Sequence, residues 1–324
     1  MNKISLIFAI LFFYFLNYVS FAADGIQNYQ TFFGITNNGT SKLISIRKFT
    51  DSSKEYLLAV NPDTLETSII KYDGSKFENH SLNEIRKILS ASIYAKALFE
   101  AEKNSGVLQN AGLSHFSRTA NGIVLTADLC PSRLGLEKTL FREIIENPNC
   151  DIKPVPVALA VTGLWMEKHK SDLEWIKDLE QRKLINITWI NHSYTHRYDK
   201  KLPLQKNFLL TKGTDIDFEV LETEKEMLAN GLLPSVFFRF PGLVSDRPLF
   251  MKITGFGLIP LGSDAWIAKD QAPLDGSIVL VHANGNEPKG VSGFINIMHN
   301  KKKNNIQKSL CIYDLKKCMV NKFK

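Results

Sequence analysis

Short apolar runs alternate with amphipathic stretches from Gly122 onward, and this alternation constrains the fold more than any other feature of the chain. The apolar runs have the length and residue types of buried strands. They lie at Ile123–Thr126, Val155–Val161, Leu184–Ile190, Val236–Phe240, Gly257–Leu261 and Ser277–Val281. Helical patterns lie between several of them, at Ser171–Arg182, Asp217–Ala229 and Asp246–Thr254. Strands that alternate with helices form parallel sheets with right-handed crossovers, so the sequence predicts an α/β domain built on an open sheet or a barrel.

The region before Gly122 has a different pattern. Three strand-like runs are followed by one amphipathic stretch from Leu82 to Lys103, with Ser81 and Glu84 placed as a helix capping box. We therefore expect a small α+β domain without catalytic groups over residues 23–118. The α/β domain then occupies residues 119–300, and a basic tail occupies residues 301–324.

The first 22 residues have the pattern of a secretory signal peptide. Lys3 precedes an apolar stretch that runs from Ile4 to about Phe21, and Ser20 and Ala22 are small enough for cleavage before residue 23. The alternative is an uncleaved inner-membrane anchor, since the stretch approaches the length of a membrane span. We expect a secreted or periplasmic protein.

Export would place the four cysteines in an oxidising compartment. An even number of cysteines there predicts disulfide bonds. The simplest pairings are Cys130–Cys150 and Cys311–Cys318. The sequence alone does not choose among the three connectivities that four cysteines allow.

The formal net charge of +7 is concentrated late in the chain, where a lysine run and a Lys-rich tail occur. Such a run is usually a solvated surface, and contact with an anionic envelope polymer or membrane face is the functional alternative. Nucleic acid is not an expected partner, because the chain carries an export signal and no recognisable nucleic-acid module.

Polar residues suited to chemistry follow the ends of the predicted strands. The segment Asn191–His196 places His192 and His196 four residues apart, which on a helical turn brings both imidazoles close enough to share one metal ion. Carboxyl ends of parallel strands are where α/β folds assemble their sites. The other strand-end residues of this kind are Asp128, Arg239, Asp264, Trp266 and His282. Each has an ordinary structural interpretation by itself, as a helix cap, a surface ion pair or a core side chain.

Taken in order, five strand-end segments resemble the motifs of the polysaccharide deacetylase family, the carbohydrate esterases with the NodB homology domain. They are Thr126–Ser132, Asn191–His196, Phe238–Gly242, Asp264–Trp266 and Leu280–His282. The resemblance spans roughly residues 122–298 and leaves out the N-terminal unit and the tail. It implies a distorted (β/α) barrel and metal-dependent removal of N-acetyl groups from an amino-sugar polymer, peptidoglycan or an exopolysaccharide.

The resemblance also implies roles for the reacting groups. His192 and His196 would hold a divalent metal, with zinc the expected ion. Asp128 would act as the general base on the attacking water, and His282 as the general acid for the departing amine.

The remaining motif residues would support these groups. By the same resemblance, Arg239 would pair with Asp128 and keep it ionised, and Asp264 would orient His282. Trp266 and Leu280 would wall the pocket for the acetyl methyl group.

The first motif departs from the family pattern, since Leu129 stands where a second aspartate serves as a metal ligand and Cys130 stands where a glycine is usual. Three outcomes are open. The metal binds through two histidines and solvent, Asp128 joins the ligands and leaves the base role to water or Asp270, or the metal is lost. We expect an atypical active deacetylase, and the alternative is a non-catalytic glycan-binding or envelope-scaffold relative.

Overall fold

The computed structural model describes residues 25–37, 39, 41–116, 122–146, 150–303 and 310–324, with side chains throughout except at 301–303. The expected signal peptide, and its alternative as a membrane anchor, lie outside these residues. Within the ranges described, no helix has both the length and the apolar character needed to cross a bilayer.

The N-terminal unit is a five-stranded antiparallel sheet with two helices. Its strands are β1 (Gln27–Asn37), β2 (Lys42–Asp51), β3 (Lys54–Val60), β4 (Thr67–Lys71) and β5 (Phe77–Asn79), in the order β4-β3-β2-β1-β5. The helices are α1 (Leu82–Ile88) and α2 (Ile93–Glu102).

The expected small α+β unit is present, but its single predicted helix is two. Ser81 caps α1 in the predicted capping box with Glu84, and Ser92 accepts a hydrogen bond from the amide of Ala95 to cap α2. A second internal cap competes with continuation of the helix, which explains the break.

The remaining elements alternate as the sequence predicts. They are β6 (Gly122–Leu129), α3 (Lys138–Glu146), β7 (Val155–Val161), α4 (Gly163–Lys168), α5 (Lys170–Gln181), β8 (Ile185–Asn191), α6 (Ile216–Ala229), β9 (Pro234–Phe238), α7 (Arg247–Gly255), β10 (Ile259–Pro260), β11 (Ala265–Trp266), β12 (Ile278–His282), α8 (Pro288–Lys303), β13 (Cys311–Ile312) and α9 (Leu315–Phe323). The sheet runs β10-β9-β8-β7-β6-β12-β11, with β13 added to β6, and its pairings are parallel. The predicted fold class, a distorted (β/α) barrel after a small α+β unit, is confirmed.

A segment from the N-terminal side pairs with backbone next to strands β10 and β12 of this sheet. Leu113 exchanges backbone hydrogen bonds with Pro260 and Gly262 next to β10, and the amide of Phe116 donates to the carbonyl of Gly276 just before β12. Residues 109–116 therefore pair with the barrel, although the predicted boundary of the N-terminal domain is residue 118. Residue 118 itself lies outside the described residues.

The two units also share one hydrophobic core. Ile44 and Leu58 of the N-terminal sheet belong to the same buried cluster as Phe237 and Phe250 of the barrel. A second cluster fills the space between the outer face of the parallel sheet and its helices, and it includes Leu129 and Trp165.

The C-terminal segment differs from the solvated tail that its charge predicts. Residues 310–324 form β13 and α9, and α9 buries Leu315, Cys318 and Met319. These residues follow an i, i+3, i+4 spacing, which gives the helix a narrow apolar face among its lysines. The structure does not describe the side chains of residues 301–303.

The disulfide joins Cys150 to Cys311, while Cys130 and Cys318 are buried free thiols. Both predicted pairings are therefore wrong. Cys311 pairs in register with Gly122 at the start of β6, whereas Cys130 follows the end of that strand, roughly 25 Å away at the usual rise per strand residue. No disulfide can span such a distance.

Candidate active site

Asp128 and His282 lie side by side at the carboxyl edge of the parallel sheet. Asp128 is near the end of β6, His282 is the last residue of β12, and the two are paired in register. His192 directly follows β8, and Arg239 directly follows β9. The edge thus brings together a carboxylate, a guanidinium and two imidazoles.

A buried ion pair holds the carboxylate. Arg239 is fully buried and donates from Nη1 to Asp128 Oδ1 at 3.0 Å and to Thr126 Oγ1 at 2.7 Å, and from Nη2 to the carbonyl of Gly262 at 3.0 Å. Burial alone would raise the pKa of Asp128, but the charge of Arg239, with those of nearby imidazoles, holds the pKa below its ordinary value. Asp128 is therefore ionised.

His192 presents a lone pair to the site. Its Nδ1 lies 2.8 Å from the carbonyl oxygen of Arg239. A carbonyl only accepts, so Nδ1 carries the hydrogen and Nε2 is the free acceptor. Nε2 lies 3.5 Å from both Asp128 Oδ2 and Cys130 Sγ. Burial lowers the pKa of His192, which favours the neutral ring that a metal ligand requires.

The two histidines meet on an irregular loop, so the expectation that a helical turn brings them together is wrong. Ser193 and His196 have φ angles of 66° and 47°, yet the rings of His192 and His196 lie 4.9 Å apart. Glu219 of α6 stabilises the loop, since its carboxylate accepts hydrogen bonds from the amides of Tyr194 and Thr195 at 2.8 and 2.9 Å and from the Thr195 hydroxyl.

Cys130 completes a cluster that the sequence did not predict. One donor atom from each of Cys130, His192 and His196 lies within 4.8 Å of the others. Burial opposes ionisation of the thiol, but His196 and His282 lower the pKa of Cys130 to about 7. Thiolate and imidazole are the usual ligands of zinc, and three protein donors leave an open position, so these residues fit a catalytic metal.

Strand alternation explains why position 130 reaches the site and position 129 does not. Side chains two residues apart in a strand share a face, and Leu129 packs in the cluster on the outer face of the sheet. Strand alternation by itself predicts that Cys130 lies on the same face as Asp128. The sequence also led us to expect Cys130 in a disulfide, which would leave no thiol for a metal.

Glu287 is the partner of His282. His282 Nδ1 lies 2.8 Å from Glu287 Oε2, which also accepts from Trp266 Nε1 at 2.9 Å. Burial would lower the pKa of His282, but the charge of Cys130, hydrogen bonds to Cys130 and Glu287, and the charge of Asp128 raise it well above its ordinary value. His282 is therefore protonated, as a general acid must be.

Asp264 does not orient His282, and that implied role is wrong. Its Oδ2 lies 2.6 Å from His115 Nδ1, and its Oδ1 accepts from the amide of Ile278 at 2.9 Å. Ile278 begins β12 and His282 ends it, so Asp264 lies at the opposite end of the strand. Asp270 is exposed and pairs with Lys289 at 2.6 Å.

The two predicted pocket residues flank His282. Leu280 is fully buried and precedes His282 by two residues, so both lie on one face of β12. The ring of Trp266 lies 5.6 Å from that of His282.

Residues 27–94 match the sequence profile of a family described as the RP012 protein N-terminal domain. Similar solved structures include a family 4 carbohydrate esterase from Bacillus anthracis, with 18% identity over 72% of this chain and 93% of that chain at a TM-score of 0.47. Another is the family 4 carbohydrate esterase PdaA from Bacillus subtilis, with 16% identity over 69% and 88% at 0.48. A third is the chitin deacetylase from the fungal pathogen Colletotrichum lindemuthianum, with 16% identity over 66% and 91% at 0.45.

Proposed function

We propose that this protein is an exported, metal-dependent hydrolase that removes N-acetyl groups from an amino-sugar polymer, either peptidoglycan or an exopolysaccharide. The observation that carries the proposal is the pairing of an ionised Asp128 with a protonated His282 beside the His192–His196 pair. A base and an acid held in opposite protonation states are what amide hydrolysis needs.

In the proposed reaction, Asp128 accepts a proton from the water whose oxygen attacks the acetamide carbonyl carbon. His192 and His196 would hold a divalent metal, with zinc the expected ion, and that ion would supply Lewis-acid polarisation of the carbonyl and a more acidic attacking water. His282 donates a proton to the nitrogen as the C–N bond breaks. Acetate leaves with the oxygen of the water, and a free amine remains on the sugar.

The neighbouring residues position these groups. Arg239 keeps Asp128 charged, and Glu287 keeps His282 charged and oriented. Trp266 and Leu280 border the space beside His282 and would receive the acetyl methyl group. The apolar N-terminal stretch supports export, and the late lysines support contact with an anionic envelope surface.

Acetate release from N-acetylglucosamine oligomers and peptidoglycan fragments tests the proposal, with metal content measured on the same samples. The double variant His192→Ala, His196→Ala should lose both metal and activity. Asp128→Asn should keep the metal and lose about 10²- to 10⁴-fold in kcat, the usual contribution of a general base.

Asp270→Asn is the matched control, since it removes an exposed carboxylate outside the site and should change neither metal content nor kcat. Unchanged acetate release by the double histidine variant would overturn the proposal.

Leu129 supports one alternative function, that of a glycan-binding or envelope-scaffold protein without turnover. Its side chain packs in the outer core and offers no ligand atom. This alternative predicts glycan binding that a chelator does not change, with no acetate released. Turnover that Asp128→Asn abolishes excludes it.

A further inference from the structure

We infer that Cys130 is the third protein ligand of the metal centre, so that the ion is held by one thiolate and two imidazoles. The inference rests on the proposed function only in taking a metal centre at His192 and His196 as its premise. It goes further in naming a sulfur ligand and the class of metal that such a ligand selects.

The donor geometry is the first support. Cys130 Sγ lies 3.5 Å from His192 Nε2, and together with a ring nitrogen of His196 the donors all fall within 4.8 Å of one another. Ligands of one tetrahedral ion at usual zinc–sulfur and zinc–nitrogen lengths lie about 3–4 Å apart. Small side-chain adjustments suffice to close the cluster around an ion.

The loop that carries Cys130 is fixed from both sides. Asn284 is fully buried and donates from Nδ2 to the carbonyl of Cys130 at 2.8 Å. Thr162 donates from its hydroxyl to the carbonyl of Leu129 at 3.0 Å, and Asn286 donates to the carbonyl of Pro131 at 3.3 Å. These three bonds hold the peptide groups of residues 129–131, so the thiol is positioned before any ion arrives.

The other candidate ligand, Asp128, is already engaged. Its Oδ1 accepts from Arg239 at 3.0 Å, and a guanidinium this close competes with a cation for the carboxylate. Cys130 is not used by the disulfide, which joins Cys150 to Cys311, and its neighbours are imidazoles, of which the protonated His282 is the one that competes with a cation for the sulfur. Binding would release the thiol proton to solvent and leave Asp128 free as a base.

A sulfur donor changes which metals the centre accepts. Thiolate with two imidazoles suits zinc and other borderline or soft ions, whereas magnesium, calcium and manganese favour oxygen ligands. The centre should therefore select zinc or cobalt over manganese and magnesium.

Cobalt(II) titration of the metal-free mature protein, with its disulfide intact, tests the ligand directly. We expect one equivalent to bind with an intense near-ultraviolet thiolate-to-cobalt charge-transfer band. Cys318→Ser should keep the band, since this control removes the other buried free cysteine. Cys130→Ser should lose it and weaken binding by more than ~100-fold, beyond the usual effect of losing an outer partner of a ligand.

Cys130→Asp supplies an oxygen donor in place of sulfur. It should bind metal without the band and shift the preference toward manganese. Cobalt bound by the wild type without the band, or no cobalt bound at all, overturns the inference, and neither result depends on how a variant folds.

Acetate release measured on the same samples separates the two proposals. A sulfur band without acetate release overturns the deacetylase function and leaves the ligand assignment standing. Acetate release by a cobalt enzyme that lacks the band overturns the ligand assignment alone.

Discussion

Glu287 contacts His282 and, after Cys130, contributes to its raised pKa, although Glu287 lies outside every motif that the sequence presents. Its carboxylate lies 2.8 Å from His282 Nδ1 and also accepts from Trp266 Nε1. One carboxylate therefore fixes both the imidazole and the aromatic ring beside it. Asp264, two residues before Trp266 in the chain, lies at the far end of β12 against Ile278.

Glu287→Gln should lower the pKa of His282, because it removes a negative charge that favours the protonated ring. The acid form of His282 is then lost at a lower pH, so the alkaline limb of the activity profile should move to lower pH. We expect a roughly 10- to 100-fold loss of activity near that limb, as when outer partners of active-site histidines are removed. NMR titration of the His282 ring protons measures the shift.

Asp264→Asn is the control for this prediction. Asp264 belongs to the same motif as Trp266, but its carboxylate contacts His115 and not His282. The pKa of His282 should therefore not change. A shift in Asp264→Asn equal to that in Glu287→Gln would contradict the assignment of Glu287.

The His192–His196 loop depends on helix α6. A loop with two non-glycine residues at positive φ is strained. Glu219, the fourth residue of α6, offsets that strain by accepting from two loop amides and one hydroxyl. The proposed metal centre thereby depends on the position of a helix on the outside of the barrel.

Glu219→Ala should weaken metal binding by about 10- to 100-fold, because the loop loses the carboxylate that holds it. It should also cost about 1–3 kcal/mol of stability through the unpaired loop donors. Glu222→Ala, on the same helix, removes a half-buried carboxylate that is paired with Lys225 and does not contact the loop, and it should change neither quantity. Chelator competition measures the affinity, and equal effects in both variants would contradict this role for the loop.

The elements that the sequence predicts well are those whose signal is local. The strand Val155–Val161 has the predicted bounds because it is one continuous apolar run. The two-residue strands β10 and β11 carry too few residues for a pattern, and their pairing depends on neighbours distant in sequence. Helix α9 buries only three of its nine residues and carries lysines between them, so its buried face becomes visible only when the core it meets is known.

The same distinction applies to the site. Asp128, Arg239, His192 and His282 stand at strand ends, and the edge of a parallel sheet collects strand ends, so their proximity is predictable. Glu219 and Glu287 act across loops from the residues they hold. Nothing in their local sequence distinguishes them from surface carboxylates.

A buried ion pair joins the N-terminal sheet to the barrel. Arg47 of β2 and Glu224 of α6 are both fully buried, and the guanidinium binds the carboxylate through two contacts of 2.7 and 2.9 Å. Arg47 also donates to the carbonyl of Phe256, and the hydroxyl of Tyr29 donates to Glu224. Because this network crosses the shared core, we expect the two units to unfold together.

Glu224→Gln should lower the free energy of unfolding by about 3–5 kcal/mol, because it leaves the charge of Arg47 buried without its partner. Asp217→Asn is the matched control on the same helix. It breaks an exposed pair with Lys252 and should cost at most about 1 kcal/mol. Urea unfolding followed by fluorescence measures both values.

The double variant Arg47→Met, Glu224→Leu separates the cost of an unpaired charge from the loss of the contact itself. It buries no charge, so its unfolding free energy should lie above that of Glu224→Gln even though it lacks the whole ion pair. All variants should unfold in a single transition, since residues of both units fill one core. Two separate transitions in the wild type would contradict the coupling, and a double variant less stable than Glu224→Gln would show that the pair contributes net stability.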